Sequence, residues 1–437
     1  MVVLFFTGAR RLLQIAVLML YHFCHLALRI LTAAKPYSRS FVLILVGREL
    51  RDLLIDLGPA FVKVGQILSM RADLVPVEVT VALTTLQNQT RPFDSRKVPK
   101  LIEEAFSRSV DQLFEYFDMH PIASASIAQV HRARLWDGRE VAVKIRRPGI
   151  VRQVHNDLRL LGVIAKLMSA IPATHLLPLT DFVKEIGKPI LGQLDFKREA
   201  DNIRKFRANF QLVEYITMPV LIEELCTSSI LTTEFLDGLK KVTSVNSGVY
   251  EREIAALAGL RALYKMIFLD GFVHADMHAG NVFLRSFGEF VILDMGLVTE
   301  LSNSQLRAFV EFFFGLVNNQ GKVCARILHE SATHCAVESN RDGFENAVVD
   351  LVSKHSRLSS KEFEITRFVF GLIEIHRRFG VRASMNFMTI VLSMVVFDGI
   401  CKLLYPALDF QREARPFLIA AKYRRNQLTF GARAAAR

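Results

Sequence analysis

The chain reads as an α+β protein of two lobes, a small sheet-containing lobe and a larger helical one, preceded by a helical extension. Three observations predict this. VHRARLWDGREVAVKI alternates apolar and polar residues across a turn signal at Asp137 and Gly138, the period of a β-hairpin. VLIEELCTSSILTTEFLDG reads as two further strands ending at Gly238. Beyond it the apolar spacing returns to three and four, broken only by the short pair VFL and VILDMG, so the remainder is expected to be helical.

At the N-terminus LLQIAVLMLYHFCHLAL, residues 12 to 28, is uncharged between Arg11 and Arg29. It falls short of the roughly 20 residues a bilayer span needs and carries Gln14, His22 and His25. The first 51 residues hold seven Lys or Arg and one acid, Glu49. A membrane-contacting helix is expected, spanning or interfacial. No small-x-small cleavage site follows closely enough for a signal peptide, and the ordinary alternative is a buried helix. Residues 41 to 90 read as helices divided at Gly58 and Pro59, and they carry the sequence KVGQ. A loop near Arg91 and Pro92, a helix over 98 to 107, the hairpin, a long helix over 151 to 170 and another through FKREADNIRKFRANF follow. ASMNFMTIVLSMVVF, residues 383 to 397, closed by Asp398, is better read as a buried helix than as a span. The expected divisions are 1–40 for the apolar, basic segment, 41–118 for the helical extension, 119–236 for the sheet lobe and 237–437 for the helical lobe.

Composition narrows the partners. The formal charge of +12 with a mean hydropathy of +0.27 points to an anionic membrane surface before nucleic acid. No zinc-finger spacing, basic helix repeat or RNA-stacking pattern is present, so nucleic acid is not expected as a partner. Cys24, Cys226, Cys324, Cys335 and Cys401 are scattered and odd in number, which fits a reducing compartment without a disulfide framework.

The chemistry lies in an ordered set of weak motifs. Alone, VAVK is a strand with a lysine, and a solvent-facing Lys144 on an edge strand is its ordinary reading. Upstream, however, ASASIAQV places Ala123, Ser124, Ala125, Ser126, Ala128 and Val130 at the spacing that a phosphate-covering loop uses. Downstream, Glu199 sits on a predicted helix, able to pair with a phosphate-binding lysine. In FVHADMHAGNVFL, His274, Asp276 and Asn281 match HxDxxxxN, and Asp294 follows in DMG. Phosphoryl transfer needs such parts: a carboxylate near the attacking oxygen, an amide oxygen and a second carboxylate on Mg²⁺, and a lysine on the phosphates. His274 is expected to support the loop by hydrogen bonding, and His278 receives no role. A zinc site lacks a third ligand.

With KVGQ ahead of an alanine-containing loop, then VAVK, QLDFKREADN, HADMHAGN and DMG, the chain resembles the UbiB family of atypical protein-kinase-like proteins, from about residue 45 to about residue 410. The resemblance implies a bilobal protein-kinase-like fold in which KxGQ helices cover the cleft. It also implies ATP and Mg²⁺ as cofactors, and an ATPase or a small-molecule or lipid kinase supporting isoprenoid quinone (ubiquinone) biosynthesis at a membrane. Carried over by position, Lys144 contacts phosphate with Glu199 as its partner, Asp276 is the catalytic carboxylate, and Asn281 and Asp294 hold magnesium. Lys63 and Gln66 are the cleft-covering, regulatory residues. Asp195 is the second acid of the family's ExD motif, whose first acid is Gln193 here. Met277 and Ala279 stand where the family shows prolines, and DMG replaces DFG.

The resulting expectation is an ATP-dependent enzyme whose partners are a membrane lipid or quinone precursor, the membrane surface and quinone-biosynthesis proteins. The kinase-like part is placed on the cytoplasmic face in a bacterium or in the mitochondrion of a eukaryote. A nucleotide-gated membrane scaffold or lipid chaperone is the non-catalytic alternative. An ordinary protein or aminoglycoside kinase is a third reading, which KVGQ and the alanine loop oppose.

Overall fold

The computed structural model describes residues 2–33, 38–69, 75–86, 92–170, 179–213, 215–242, 248–285, 288–335, 340–356 and 364–434; side chains of residues 2–10, 179, 334–335 and 425–434 are outside this description. The chain forms two compact units, Met1–Asp201 with Val220–Phe235, and Asn202–Pro219 with Leu236–Arg437.

The first unit begins with α1 (Val2–Thr32) and α2 (Arg39–Leu57). The Ser38 hydroxyl accepts the Phe41 amide and caps α2. Gly58, at φ 100°, ends that helix and Pro59 opens α3 (Pro59–Ser69), with α4 (Val77–Thr84) next. After α5 (Val98–Phe106) and α6 (Val110–Leu113) come β1 (Tyr116–Phe117), β2 (Ala123–Ser124), β3 (Ala128–Arg134) and β4 (Glu140–Arg146). Helices α7 (Ile150–Ser169), α8 (Leu179–Gly192) and α9 (Phe196–Phe210) follow, the last running on into the second unit; β5 (Ile216–Thr217) belongs to that second unit, and β6 (Ile230–Glu234) returns to the first. The sheet of this unit has the order β1-β3-β4-β6, with β2 folded back on β3. Val141, Val143 and Ile145 alternate inward from β4 and pack with Val98, Ile102, Phe114, Ala133 and Ile230. Each such side chain contributes about 1.5–3 kcal/mol when fully buried.

One predicted strand is absent. Leu221 forms a lone bridge to Thr233, and Glu223–Leu225 winds into a 3₁₀ turn. Thr227 Oγ1 then accepts the Ser229 and Ile230 amides at 3.2 and 3.0 Å. A threonine hydroxyl offering the backbone this local alternative bends the chain where the apolar pattern suggested extension.

In the second unit β7 (Lys240–Lys241) precedes α10 (Val249–Tyr264), which runs into a π-helix over Lys265–Asp270. Gly271, at φ 61°, ends it in the left-handed region. Strands β8 (Phe272–His274), β9 (Val282–Leu284), β10 (Phe290–Ile292) and β11 (Val298–Glu300) follow. They form a four-stranded sheet, β5-β10-β9-β7, and a separate β11-β8 ribbon. The rest is α11 (Asn303–Val317), α12 (Gly321–Glu330), β12 (Ala332–Cys335), α13 (Arg341–Ser356), α14 (Ile365–Phe379), β13 (Val381–Ala383), α15 (Met385–Leu404) and α16 (Phe410–Ala434). Much of the chain's phenylalanine is used here: Phe309, Phe312 and Phe313 of α11 contact Phe268, Phe368 and Phe387 ring to ring. The most apolar stretch of α15 is 72% buried, so this helix is core, as its sequence suggested.

Candidate functional site

The first unit holds the lysine set. Because β4 lies between β3 and β6, Lys144 stands on a central strand, with Val130 and Leu231 as its register partners. The period of two that buries Val143 and Ile145 sends Lys144 to the opposite face of the sheet. There its Nζ donates to both Glu199 oxygens at 2.7 and 2.9 Å, and it lies 5.3 Å from the centre of the Phe196 ring. Glu199 is only 4% exposed and Lys144 is 16% exposed, so the pair is largely withdrawn from water. Glu199 lies in the first turn of α9. That turn is fixed by Asp195, whose Oδ1 accepts the Lys197 amide at 3.1 Å in the manner of a helix cap. Gln193, just before it, is buried.

Ala123 to Val130 form a tight β2–β3 hairpin. Ala123 pairs with Val130 and Ser124 with Gln129, and the Ala125 amide donates to the Ala128 carbonyl at 2.8 Å. None of these residues has a positive φ, so alanine and serine occupy the turn without strain. Sequence reasoning missed the brace of this hairpin, Arg147. Its Nε and one terminal nitrogen donate to the Ala125 carbonyl and the Ser124 hydroxyl at 3.0 and 2.9 Å, and its amide donates to Ile127 O at 2.9 Å. Its position directly after VAVKIR was the available signal. Burial pushes the Arg147 guanidinium down from its ordinary value. Ser126 is fully buried and its Oγ has no hydrogen-bond partner among the described residues.

Lys63 and Gln66 lie on α3. Lys63 is 8% exposed, and Gln66 Nε2 donates to the Leu86 carbonyl at 3.0 Å. Between them a Cβ on Gly65 would come within 2.4 Å of Leu86 Cδ1 and 2.6 Å of Leu54 Cδ1. The glycine and glutamine of KVGQ therefore seat α3 against its neighbours.

The second unit holds the acidic set. His274, at the end of β8, is fully buried. Its Nδ1 accepts the Asp276 amide at 3.1 Å, which leaves the proton on Nε2 to be donated to the Asp294 carbonyl. Burial lowers the His274 pKa, so the ring bridges the two acidic segments in its neutral form. The expected supporting role of His274 has this geometry. Asn281 Nδ2 donates to the Asp276 carbonyl at 2.9 Å, while the Asn281 amide donates to His278 O and the Asp276 carbonyl also accepts the His278 amide, each at 2.9 Å. Asp294 Oδ1 accepts the Gly296 amide at 2.8 Å. His278 Nε2 lies 3.7 Å from Asp276 Oδ1, and its Nδ1 accepts the Gly280 amide at 2.9 Å. Met277 and Met295 are both buried, so these two departures from the family pattern still anchor their loops by an apolar side chain. Two further supports were not legible in the sequence. Ser393 of α15 donates to the Ala275 carbonyl at 3.1 Å, and Asn202 Nδ2 donates to Met295 O at 2.9 Å.

The donor chemistry suits magnesium. With its nitrogen committed to Asp276, Asn281 keeps Oδ1 outside any hydrogen bond among the described residues, and Asp294 adds carboxylate oxygen. Hard oxygen donors with water completing the shell are the usual surroundings of Mg²⁺. No cluster of three His, Cys, Asp or Glu suited to a metal occurs among the described residues.

Comparison with known proteins identifies the family. The ABC1 atypical kinase-like domain matches residues 85–328. A probable protein kinase UbiB of Vibrio cholerae is 31% identical over 391 residues, covering 88% of this chain and 71% of its own. One of Pseudomonas fluorescens is 31% identical over 400 residues, covering 90% and 75%. The structure of Rv3197 from Mycobacterium tuberculosis, in complex with erythromycin, has a TM-score of 0.54 at 20% identity over 80% of this chain and 90% of that one, which speaks to the fold alone. The kinase-like α+β fold is thereby established, and the chain belongs to the UbiB family of ABC1 atypical kinase-like proteins.

Proposed function

We propose that the protein binds ATP with Mg²⁺ and supports isoprenoid quinone biosynthesis at a membrane. It acts as an atypical kinase-like ATPase on a small molecule or lipid, or couples ATP turnover to handling a lipid. The observation that carries this reading is the presence in one chain of two complementary residue sets, each organised within its own unit. One is a lysine held by a buried glutamate. The other is an aspartate, an asparagine and a second aspartate organised around a neutral histidine. Lys144 would neutralise phosphate charge and Asn281 with Asp294 would hold magnesium. Asp276 would accept the proton of the attacking hydroxyl. Ala123, Ser124, Ala125, Ser126, Ala128 and Val130 would cover the phosphates.

Lys63, Gln66, Gln193 and Asp195 would regulate access to that site. Because Gln193 is uncharged, it can hydrogen-bond to Lys63 but cannot neutralise it. A quinone precursor and other quinone-biosynthesis proteins are the partners this reading implies.

The test is Mg²⁺-dependent ATP hydrolysis by the purified chain, with and without anionic liposomes, beside nucleotide-dependent thermal stabilisation. Hydrolysis that disappears in Asp294→Asn, with stabilisation lost in Lys144→Ala, supports the proposal. Nucleotide stabilisation unchanged in Lys144→Ala would show that the nucleotide lies elsewhere.

A further inference from the structure

Helix α1 faces the wrong way for a water-soluble protein. A surface helix ordinarily docks by its apolar stripe and shows water its polar one. In α1 the stripe turned toward the rest of its unit is Arg11, Ile15, Leu18, His22, Leu26 and Arg29, at spacings of three and four. Arg11 donates to both Asp157 oxygens at 3.0 and 3.1 Å and to the Leu57 carbonyl, joining α1 to α7 and the end of α2. Glu49 of α2, 4% exposed, accepts from Arg29 at 3.0 Å and lies 3.1 Å from His22 and 2.9 Å from His25. The opposite face is apolar and open: Leu13 is 66% exposed, Leu20 63%, Phe23 69% and Leu31 77%.

We propose that α1 is an in-plane membrane anchor: its open face, centred on Leu13, Leu20 and Leu31, enters the headgroup–acyl boundary of an anionic leaflet while its polar stripe stays docked on α2 and α7. This rests on the reading that the protein works at a membrane and specifies how it is held there.

Charge favours a lipid surface as the occupant. The first 51 residues carry seven basic side chains and one acidic one, and that acid is already engaged by α1. Arg39 and Arg48 of α2 are exposed near this helix in sequence and free to meet anionic headgroups. A span is disfavoured by the same contacts. His22, in the middle of the apolar stretch Arg11–Thr32 that could cross a bilayer, lies 3.1 Å from both Glu49 and Asp56, in a stretch of α2 that also holds Arg48, Arg51 and Asp52. Crossing the bilayer would carry those charges to the midplane, at roughly a hundredfold penalty in insertion for each. Otherwise it would strip Arg11 from Asp157, which is 1% exposed.

The test is flotation of the full chain with phosphatidylcholine vesicles with or without phosphatidylglycerol, in the absence of nucleotide. We expect binding that requires phosphatidylglycerol and falls at least tenfold in Leu20→Glu/Phe23→Glu, whose melting temperature should be unchanged because both side chains are exposed. Cys24, exposed on the same helix, reports depth when labelled in a Cys226→Ser/Cys335→Ser background. Quenching by a shallow nitroxide lipid exceeding that by a mid-bilayer one supports the in-plane anchor. Stronger mid-bilayer quenching overturns it in favour of a span. Vesicle binding unaffected by the double substitution, or a solution dimer that the substitution dissolves, overturns the lipid assignment. Loss of ATP hydrolysis with vesicle binding intact would sink the kinase-like reading and leave this one standing.

Discussion

The lysine of the first unit is held by charge, whereas the acids of the second are held by an uncharged ring and by backbone. Lys144 donates to both oxygens of a carboxylate that reaches it from a helix 55 positions along the chain. Asp276 and Asp294 share His274, Asn281 and a set of main-chain bonds, so no single charged partner carries that arrangement. The first design concentrates its tolerance to substitution in one pair, and the second spreads it.

The comparison can be broken most sharply at the acids themselves. If Asp294 holds magnesium as proposed, Asp294→Asn should lower ATP hydrolysis roughly a thousandfold, because a metal-binding carboxylate contributes several kcal/mol where charge develops. A steady-state assay with saturating Mg²⁺ reads this, and the second unit should stay folded because its bracing is distributed. Glu199→Ala should instead cost stability, about 3–5 kcal/mol, since it removes the buried carboxylate that neutralises Lys144 in a largely buried position. Denaturant unfolding measures it, and a cost below about 1 kcal/mol would show that the pair is not the keystone of its half.

Acidity separates the two designs further. Burial depresses the His274 pKa below its ordinary 6.5, so the unfolded state binds the proton that the folded state refuses. Stability from this ring is complete above about pH 6.5 and declines as the pH falls toward its folded value. His274→Gln should flatten that decline in a pH series of melting temperatures. A smaller effect is expected at Glu49. There burial favours the neutral acid, but bonds from His25, His22 and Arg29 outweigh it and hold the carboxyl at about 2. Its contribution is complete above its ordinary value of 4.5 and is lost as the pH falls through about 2. Wild type and Glu49→Gln should therefore converge in acid.

Much of this could be read from residue order. The hairpin, the lysine on it, the loop-supporting His274 and the helix bearing Glu199 all announce themselves through period or spacing, because neighbours in sequence dictate them. What escaped is contact at long range. Ser393 reaches Ala275 across 118 positions, and nothing periodic marks it. Likewise Asp195, assigned to a regulatory motif, also caps α9 and so fixes the start of the helix that presents Glu199. The threonine turn at Thr227 replaced a predicted strand because a side-chain hydroxyl competed with the ladder. In α1 the sequence displayed polar residues inside an apolar run but not their partners on α2 and α7.

Gly65 shows how an absent side chain can act as a gauge. With Leu54 and Leu86 closing over the place a Cβ would take, the separation of α3 from its neighbours is set by the thickness of bare backbone. Lys63 stands two residues earlier on the same helix, so its ammonium is positioned by that spacing rather than by an ion pair among the described residues. A methyl group added at residue 65 would move a charge without touching it.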